Sequence, residues 1–321
     1  MPLIGGLTLS NPLCLAPLAG VTNVSLREFF TGLGAALTHT EMVSCAGLAR
    51  DNRKTAGMLR VSPREAPLIL QLFSSDADTL LKGAEAALKT SSFAGLGINM
   101  ACPMPKVTKR GAGAALLKNP SEARSMVRAL KGLRLPVWVK IRKLEDRDET
   151  LRFIDGLVHA GADNVCLHGR TTAQRYEGAA DRSVVAAAAG CFPGLIGASG
   201  DVRTVADVSE YLDMGCVPVM LARGALANPW LLPESLNALG YPVPPELLNP
   251  TNESRLEAMR RLGARAGEEL GEHQAVVLLK RLMGGILRGM DGAAELRRRA
   301  GQAVTLEGIL GVFSEAAGTG S

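Results

Sequence analysis

The sequence predicts an α/β fold: a (β/α)8 TIM barrel followed by a small C-terminal helical bundle. Three observations carry this expectation. Eight short apolar runs alternate with amphipathic stretches, and a polar or charged residue stands at the end of nearly every run. Beyond a proline-rich break at 240–245 the strand-like runs stop.

In chain order, the expected strands are Leu13–Leu18, Ala36–Val43, Leu68–Phe73, Leu96–Met100, Val137–Ile141, Val165–His168, Leu195–Ala198 and Val217–Ala222. Helical patterns lie between them at Asp76–Thr90, Ser121–Gly132, Asp148–Ala160 and Thr204–Met214. Asp76, Ser121 and Thr204 are the expected N-caps, and Gly132, Gly161 and Gly215 the expected stops. A helix cannot cross Gly240-Tyr241-Pro242-Val243-Pro244-Pro245. After it, Glu253–Leu270, Ala275–Leu287 and Ala293–Phe313 read as helices, with a low-complexity end at Ala316–Ser321. The expected division is a catalytic barrel over 1–242 and a helical domain over 243–321.

Hydrophobic residues are 47% of the chain and charged residues 21%, which excludes a disordered polyelectrolyte. No stretch approaches the ~18–20 apolar residues of a membrane helix, and the opening Met1–Gly5 does not resemble a secretory leader. The six cysteines, at 14, 45, 102, 166, 191 and 216, form no C-x-x-C pair. They point to reduced thiols in the cytoplasm rather than to a zinc site or a disulfide framework, and no metal site is expected. The net charge is +5. From Glu246 onward Lys/Arg and Asp/Glu balance, so the excess lies in the barrel. The basic run Lys106, Lys109, Arg110 and Lys118 is either a solvated loop or a track for a phosphate backbone.

In such a barrel the strands' carboxyl ends build the active site. Strand one delivers Pro17, Leu18 and Ala19, strand two Glu41, strand three Gln71, and strand four Asn99 and Cys102. Strand five delivers Lys140 and Arg142, strand six His168 and Arg170, strand seven Ser199, Gly200 and Asp201, and strand eight Arg223 and Gly224. A charge inside a strand is costly unless it is paired or faces a ligand, so a ring of them marks a site. Gly197, Gly200 and Gly224 with Arg223 suit a phosphate, because backbone amides can approach it and a forked cation can grip it. Lys140 within Val-Trp-Val-Lys-Ile-Arg has few structural uses. Cys102 sits in a loop stiffened by Pro103 and Pro105, and a thiol with an ordinary pKa of about 8.5 remains a proton donor at neutral pH. Cys14 and Cys166, within strands, read as packing.

The segments Leu15–Thr22, Gly97–Pro103, Lys106–Leu117, His168–Thr171 with Gln174 and Tyr176, and Ala222–Leu226 together resemble the dihydrouridine synthase family. The resemblance spans roughly residues 1–240. Its most specific part is the cysteine loop with its Lys-Val-Thr-Lys continuation. Two departures are Leu18, where the family often has Met, and Ser199, where it usually has Asn.

The resemblance implies an oxidoreductase carrying FMN, with NADPH as reductant and a tRNA uridine, drawn from its stack, as substrate. Pro17, Leu18 and Ala19 would support the flavin, with Gln71, Lys140 and His168 at its polar edge. Ser199, Gly200, Asp201, Arg223 and Gly224 would hold its phosphate. Cys102 would be the acid, and Asn99 and Arg142 would bind the base carbonyls. Arg170, Lys106, Lys109 and Arg110 are further expected substrate contacts, and the helical tail an RNA-recognition domain. The competing readings are an FMN barrel acting on a small molecule of dihydropyrimidine or dihydroorotate type, and an RNA-binding barrel without catalysis. A non-redox phosphate-binding barrel is a third.

Overall fold

The computed structural model describes residues 2–50 and 52–318. The low-complexity end expected at Ala316–Ser321 lies outside the described residues from 319 onward. Eight parallel strands form the barrel: β1 (Leu13–Leu15), β2 (Thr38–His39), β3 (Leu68–Phe73), β4 (Gly95–Met100), β5 (Val137–Arg142), β6 (Asn164–His168), β7 (Ile196–Ser199) and β8 (Val219–Leu221). They pair in chain order, and β8 returns to β1 with Val219 opposite Leu13. The β1–β2 seam closes on a single parallel bridge, Cys14 to Leu37, where the Leu15 N–H donates to the Leu37 carbonyl at 3.0 Å.

Each strand leads into a helix: α1 (Val24–Gly32), α2 (Cys45–Leu48), α3 (Ala77–Leu88), α4 (Pro120–Lys131), α5 (Arg147–His159), α6 (Arg182–Cys191), α7 (Val205–Asp213) and α8 (Arg223–Ala227). Asp76 and Thr204 cap α3 and α7 as expected, Thr204 within a reciprocal box with Asp207. Ser121 does not cap α4; Asn119 does, with Pro120 occupying the first helical position, where its missing N–H costs nothing.

Three strands are shorter than expected, each for a local reason. β1 stops before Pro17, and Leu18–Thr22 forms a turn. β8 begins after Pro218, which has no N–H for the ladder. β2 breaks after His39 because the Thr40 hydroxyl accepts the Gln71 N–H at 2.9 Å in place of a backbone carbonyl. Pairing with β3 resumes only at Val43–Ser44.

Alternation along β5 sets up the site. Val137, Val139 and Ile141 face outward onto the helices with Leu130, Ile154 and Leu157. Trp138, Lys140 and Arg142 therefore point inward, from floor to mouth. Trp138 belongs to an interior cluster with Cys14, Ile69, Cys166 and Met220. A hairpin of Leu3–Ile4 and Leu7–Thr8 plugs the floor beneath it, with Ile4 in the same cluster. The Trp138 indole donates to the Gly5 carbonyl at 2.9 Å, and Gly5 (φ 54°) has no room for a Cβ against that ring. The floor is sealed, so chemistry is confined to the mouth.

After α9 (Leu231–Ala238) come α10 (Asn252–Leu270), α11 (Glu272–Ile286), α12 (Ala293–Gln302) and α13 (Leu306–Gly318). Met259, Leu279, Leu282, Ile309 and Phe313 bury their side chains among these helices. Helix α10 packs on α1 and α11 on α8. A Cβ on Gly285 would lie 2.5 Å from the Ala227 carbonyl, so α11 and α8 meet backbone to backbone. Among the described residues no helix is long and apolar enough to cross a membrane.

Candidate active site

A cavity of about 230 Å³ opens at the carboxyl ends of the strands. Lys140 reaches it from β5, and its Nζ donates to the Ser199 hydroxyl on β7 at 2.8 Å. Burial pulls the ammonium pKa below its ordinary value, although the nearby Cys166 and Cys14 thiols act the other way. His168, opposite Ser199 in the β6–β7 register, is buried beside it. Burial, reinforced by Lys140, Arg142, Arg170 and Arg223, pushes its pKa down to about 2. The imidazole is therefore neutral. Its Nε2 faces Arg170 Nη1 at 3.3 Å, and because a guanidinium only donates, the imidazole proton sits on Nδ1.

Cys102 enters from the other side, on the loop after β4. Asn99 Oδ1 accepts the N–H groups of Ala101 (3.1 Å) and Cys102 (2.9 Å), and Asn99 Nδ2 donates to Gln71 Oε1 at 3.1 Å. The Cys102 carbonyl accepts the Ala114 N–H at 3.0 Å. A Cβ on Gly113 (φ 61°) would lie 2.8 Å from that carbonyl, so only glycine lets this strap close over the loop. Burial raises the Cys102 thiol pKa, and the thiol keeps its proton at neutral pH.

The third wall is cationic. Asp201, at φ 49° after Gly200, accepts the buried Arg170 Nη2 at 2.5 Å through Oδ2. Its Oδ1 is approached by Arg203 at 3.4 Å and Arg223 at 3.7 Å. Three guanidinium groups thus share one carboxylate, leaving this rim with surplus positive charge. A Cβ on Gly224 would lie 1.9 Å from the Val202 carbonyl, so the start of α8 sits tight against the β7 loop. The exposed Tyr176 ring lies over both Arg223 (4.7 Å) and Arg142 (5.4 Å).

A family model described as dihydrouridine synthase matches residues 14–317. The probable tRNA-dihydrouridine synthase of Treponema pallidum is 31% identical over 328 residues, covering 98% of this chain and 95% of the relative. That of Mycobacterium tuberculosis (strain H37Rv) is 33% identical, covering 95% and 82%.

The chain belongs to the dihydrouridine synthase family.

Membership makes it an oxidoreductase. Pseudomonas aeruginosa tRNA-dihydrouridine synthase B is 29% identical, covering 92% of this chain and 89% of the relative. Among solved structures, TcOYE with pHBA aligns with a TM-score of 0.56 at 13% identity, covering 78% of this chain and 94% of that one. DHODH of Eimeria tenella in complex with ferulenol aligns with 0.55 at 16%, covering 74% and 84%. These two likenesses are of fold.

In this family member the cavity is lined by thirteen of the candidate residues: Pro17, Leu18, Ala19, Asn99, Cys102, Lys140, Arg142, His168, Ser199, Gly200, Asp201, Arg223 and Gly224. Five expected residues stand elsewhere. Gln71 is buried behind Asn99. Arg170 is buried against Asp201 and also donates to the Glu177 and Gly178 carbonyls, so it orders the rim rather than facing the cavity. Lys106, Lys109 and Arg110 are exposed outside it. Arg142 lines the cavity but spends Nε and Nη1 on the Ala101, Thr171 and Arg175 carbonyls, so a ligand could take only its Nη2. Met42, Arg203 and Met220 also line it and were not anticipated. Met220 could have been found from the strand alternation of β8; Met42 lay within expected strand two, which breaks after His39, and Arg203 lies in a loop and gave no such signal.

Proposed function

We propose that this chain is an FMN-dependent tRNA-dihydrouridine synthase, reducing the C5–C6 double bond of uridines in tRNA with NADPH as electron donor. The main support is that a proton-bearing Cys102, a lysine and an arginine-rich rim bound one cavity from three directions. The family's curated relatives carry the matching name.

The walls fit a flat, anion-tailed cofactor. Ala16, Pro17, Leu18, Ala101 and Ala222 present apolar surface. At one end, Arg203 and Arg223 hold surplus charge against a single carboxylate oxygen, which a phosphate would offset. Asp201 itself repels a phosphate. Its part is to aim the arginines, while backbone N–H groups at Gly200 and Gly224 would make the close approach. Ser199 supplies a hydroxyl that anchors Lys140 instead of an amide side chain.

FMN, when bound, would supply the hydride that C6 of the uracil ring must receive. Addition leaves negative charge that a proton at C5 must quench, and Cys102 Sγ is the donor. The raised thiol pKa keeps that proton available at neutral pH. With the cofactor bound, Lys140 would stabilise negative charge, and neutral His168 would add a donor through Nδ1 without adding charge. Arg142 Nη2 would hold a base carbonyl. Asn99 would position the acid's loop rather than the base, because its amide is already engaged on both sides.

Lys106, Lys109 and Arg110, exposed beside the Cys102 loop, would track the RNA backbone, with residues 243–321 acting as the RNA-recognition domain. We place the enzyme in the cytoplasm with its tRNA substrate. The test is the visible spectrum of the purified protein together with NADPH oxidation in the presence of unmodified tRNA. Flavin bands and RNA-dependent dihydrouridine formation are expected. A colourless protein that fails to bind added FMN would overturn the reading, and equal activity on free uridine would favour a small-molecule substrate.

A further inference from the structure

The segment lining one side of the cavity, Pro17 to Ala19, continues into a tight turn. The Val21 and Thr22 N–H groups both donate to the Leu18 carbonyl at 3.0 Å, and the Leu18 N–H donates to the Thr22 hydroxyl at 3.1 Å. Gly20 forms the tip at φ 69°. Its peptide groups are taken on both sides: its N–H donates to Glu41, and its carbonyl accepts Arg281 Nη1 from α11. Where the segment enters α1, Glu269 at the end of α10 accepts the N–H groups of Val24 (3.0 Å) and Ser25 (2.7 Å). Side chains more than 240 residues away in sequence thus grip this loop at its tip and at its exit.

An exposed arginine that reaches back to a neutral carbonyl gives up rotamer freedom that solvent would otherwise allow it. Its return is a fixed peptide plane next to Ala19, which itself lines the cavity. We propose that Arg281 is a positioning residue for the redox site: by pinning the Gly20 carbonyl, it holds the backbone of Leu18 and Ala19 where the cofactor rests. The inference rests on the FMN reading above. It makes the C-terminal helices part of the cofactor site, whether or not RNA is bound.

The test is the rate at which flavin leaves the diluted full-length holoprotein, followed by fluorescence in the absence of RNA. Arg281→Ala should lose flavin about five- to tenfold faster than wild type, the size of one charge-assisted hydrogen bond discounted for exposure. Arg281→Lys, which keeps a donor, should recover most of the loss. Arg288→Ala removes an exposed cation from the segment after α11 and should leave the rate unchanged. Unchanged flavin loss in Arg281→Ala with a raised KM for RNA would overturn the proposal and make Arg281 a phosphate contact. Equal acceleration in Arg288→Ala would overturn it too, as a general effect of charge. A wild-type protein that holds no flavin would refute the cofactor reading itself, before any variant is compared.

Discussion

Asn99 Oδ1 accepts the Cys102 N–H at 2.9 Å while Asn99 Nδ2 donates to Gln71 Oε1 at 3.1 Å, so one amide ties the Cys102 loop to strand β3. Asn99→Ala would cut that tie and leave two N–H groups and a buried Gln71 without their partner. Misplacing a catalytic group by about 1 Å costs about 10²-fold in rate. Dihydrouridine formation should therefore fall by about ten- to a hundredfold, with the flavin spectrum unchanged. The check is single-turnover RNA reduction by pre-reduced enzyme. Normal turnover with weakened RNA binding would instead return Asn99 to a base-contacting role.

A second prediction concerns acid stability. His168 and His39 are both buried and neutral, with pKa values pushed down to about 2 and about 4, chiefly by burial. Both lie below the ordinary value of about 6.5 that the unfolded chain regains. Between pH 6.5 and 5 the unfolded state therefore binds protons that the folded state refuses, and stability falls as pH falls. Each histidine contributes a slope of up to about 1.4 kcal/mol per pH unit. The depressed carboxylates, such as Asp181 with a pKa of about 2, lose their stabilisation only at lower pH. Denaturant midpoints across pH 5–6.5 measure the slope, and His39→Leu should roughly halve it. A flat profile would mean that the folded protein accommodates both imidazolium ions.

The third prediction concerns RNA. Lys109 and Arg110 are exposed and stand outside the cavity, yet they follow the Cys102 loop directly. Reversing both charges should raise the apparent KM for tRNA, flatten the salt dependence of binding and leave flavin content untouched. Binding titrations at several salt concentrations decide it. An unaltered salt slope would make these residues a solvated face.

Much of this site was legible in the sequence because its logic is that of single strands. A lysine and an arginine on an otherwise apolar strand, two residues apart, had to point into the barrel, and Lys140 and Arg142 do. What could not be read was how polar side chains spend their donors. Arg170 looked like a ligand for substrate but is consumed by Asp201 and by carbonyls of its own loop. The break in β2 was hidden for a similar reason: a threonine hydroxyl replaced a ladder carbonyl, which no periodicity records. The grip of Arg281 and Glu269 on the β1–α1 loop depends on contacts across almost the whole chain, and local pattern carries no trace of it.

The central claim is that Cys102 donates the proton, and Cys102→Ala tests it most directly when the two half-reactions are timed separately. Loss of a general acid costs about 10²–10⁴-fold, so RNA reduction should slow by that much. Reduction of the flavin by NADPH should stay near the wild-type rate, because the thiol gives up no proton in that half-reaction. Cys216→Ala, which empties a buried position packed among the outer core residues, should lower stability and change neither rate appreciably. The predicted result is a protein that is yellow, binds tRNA, accepts electrons from NADPH and scarcely forms dihydrouridine. A Cys102→Ala protein that reduces RNA at the wild-type rate would contradict the account.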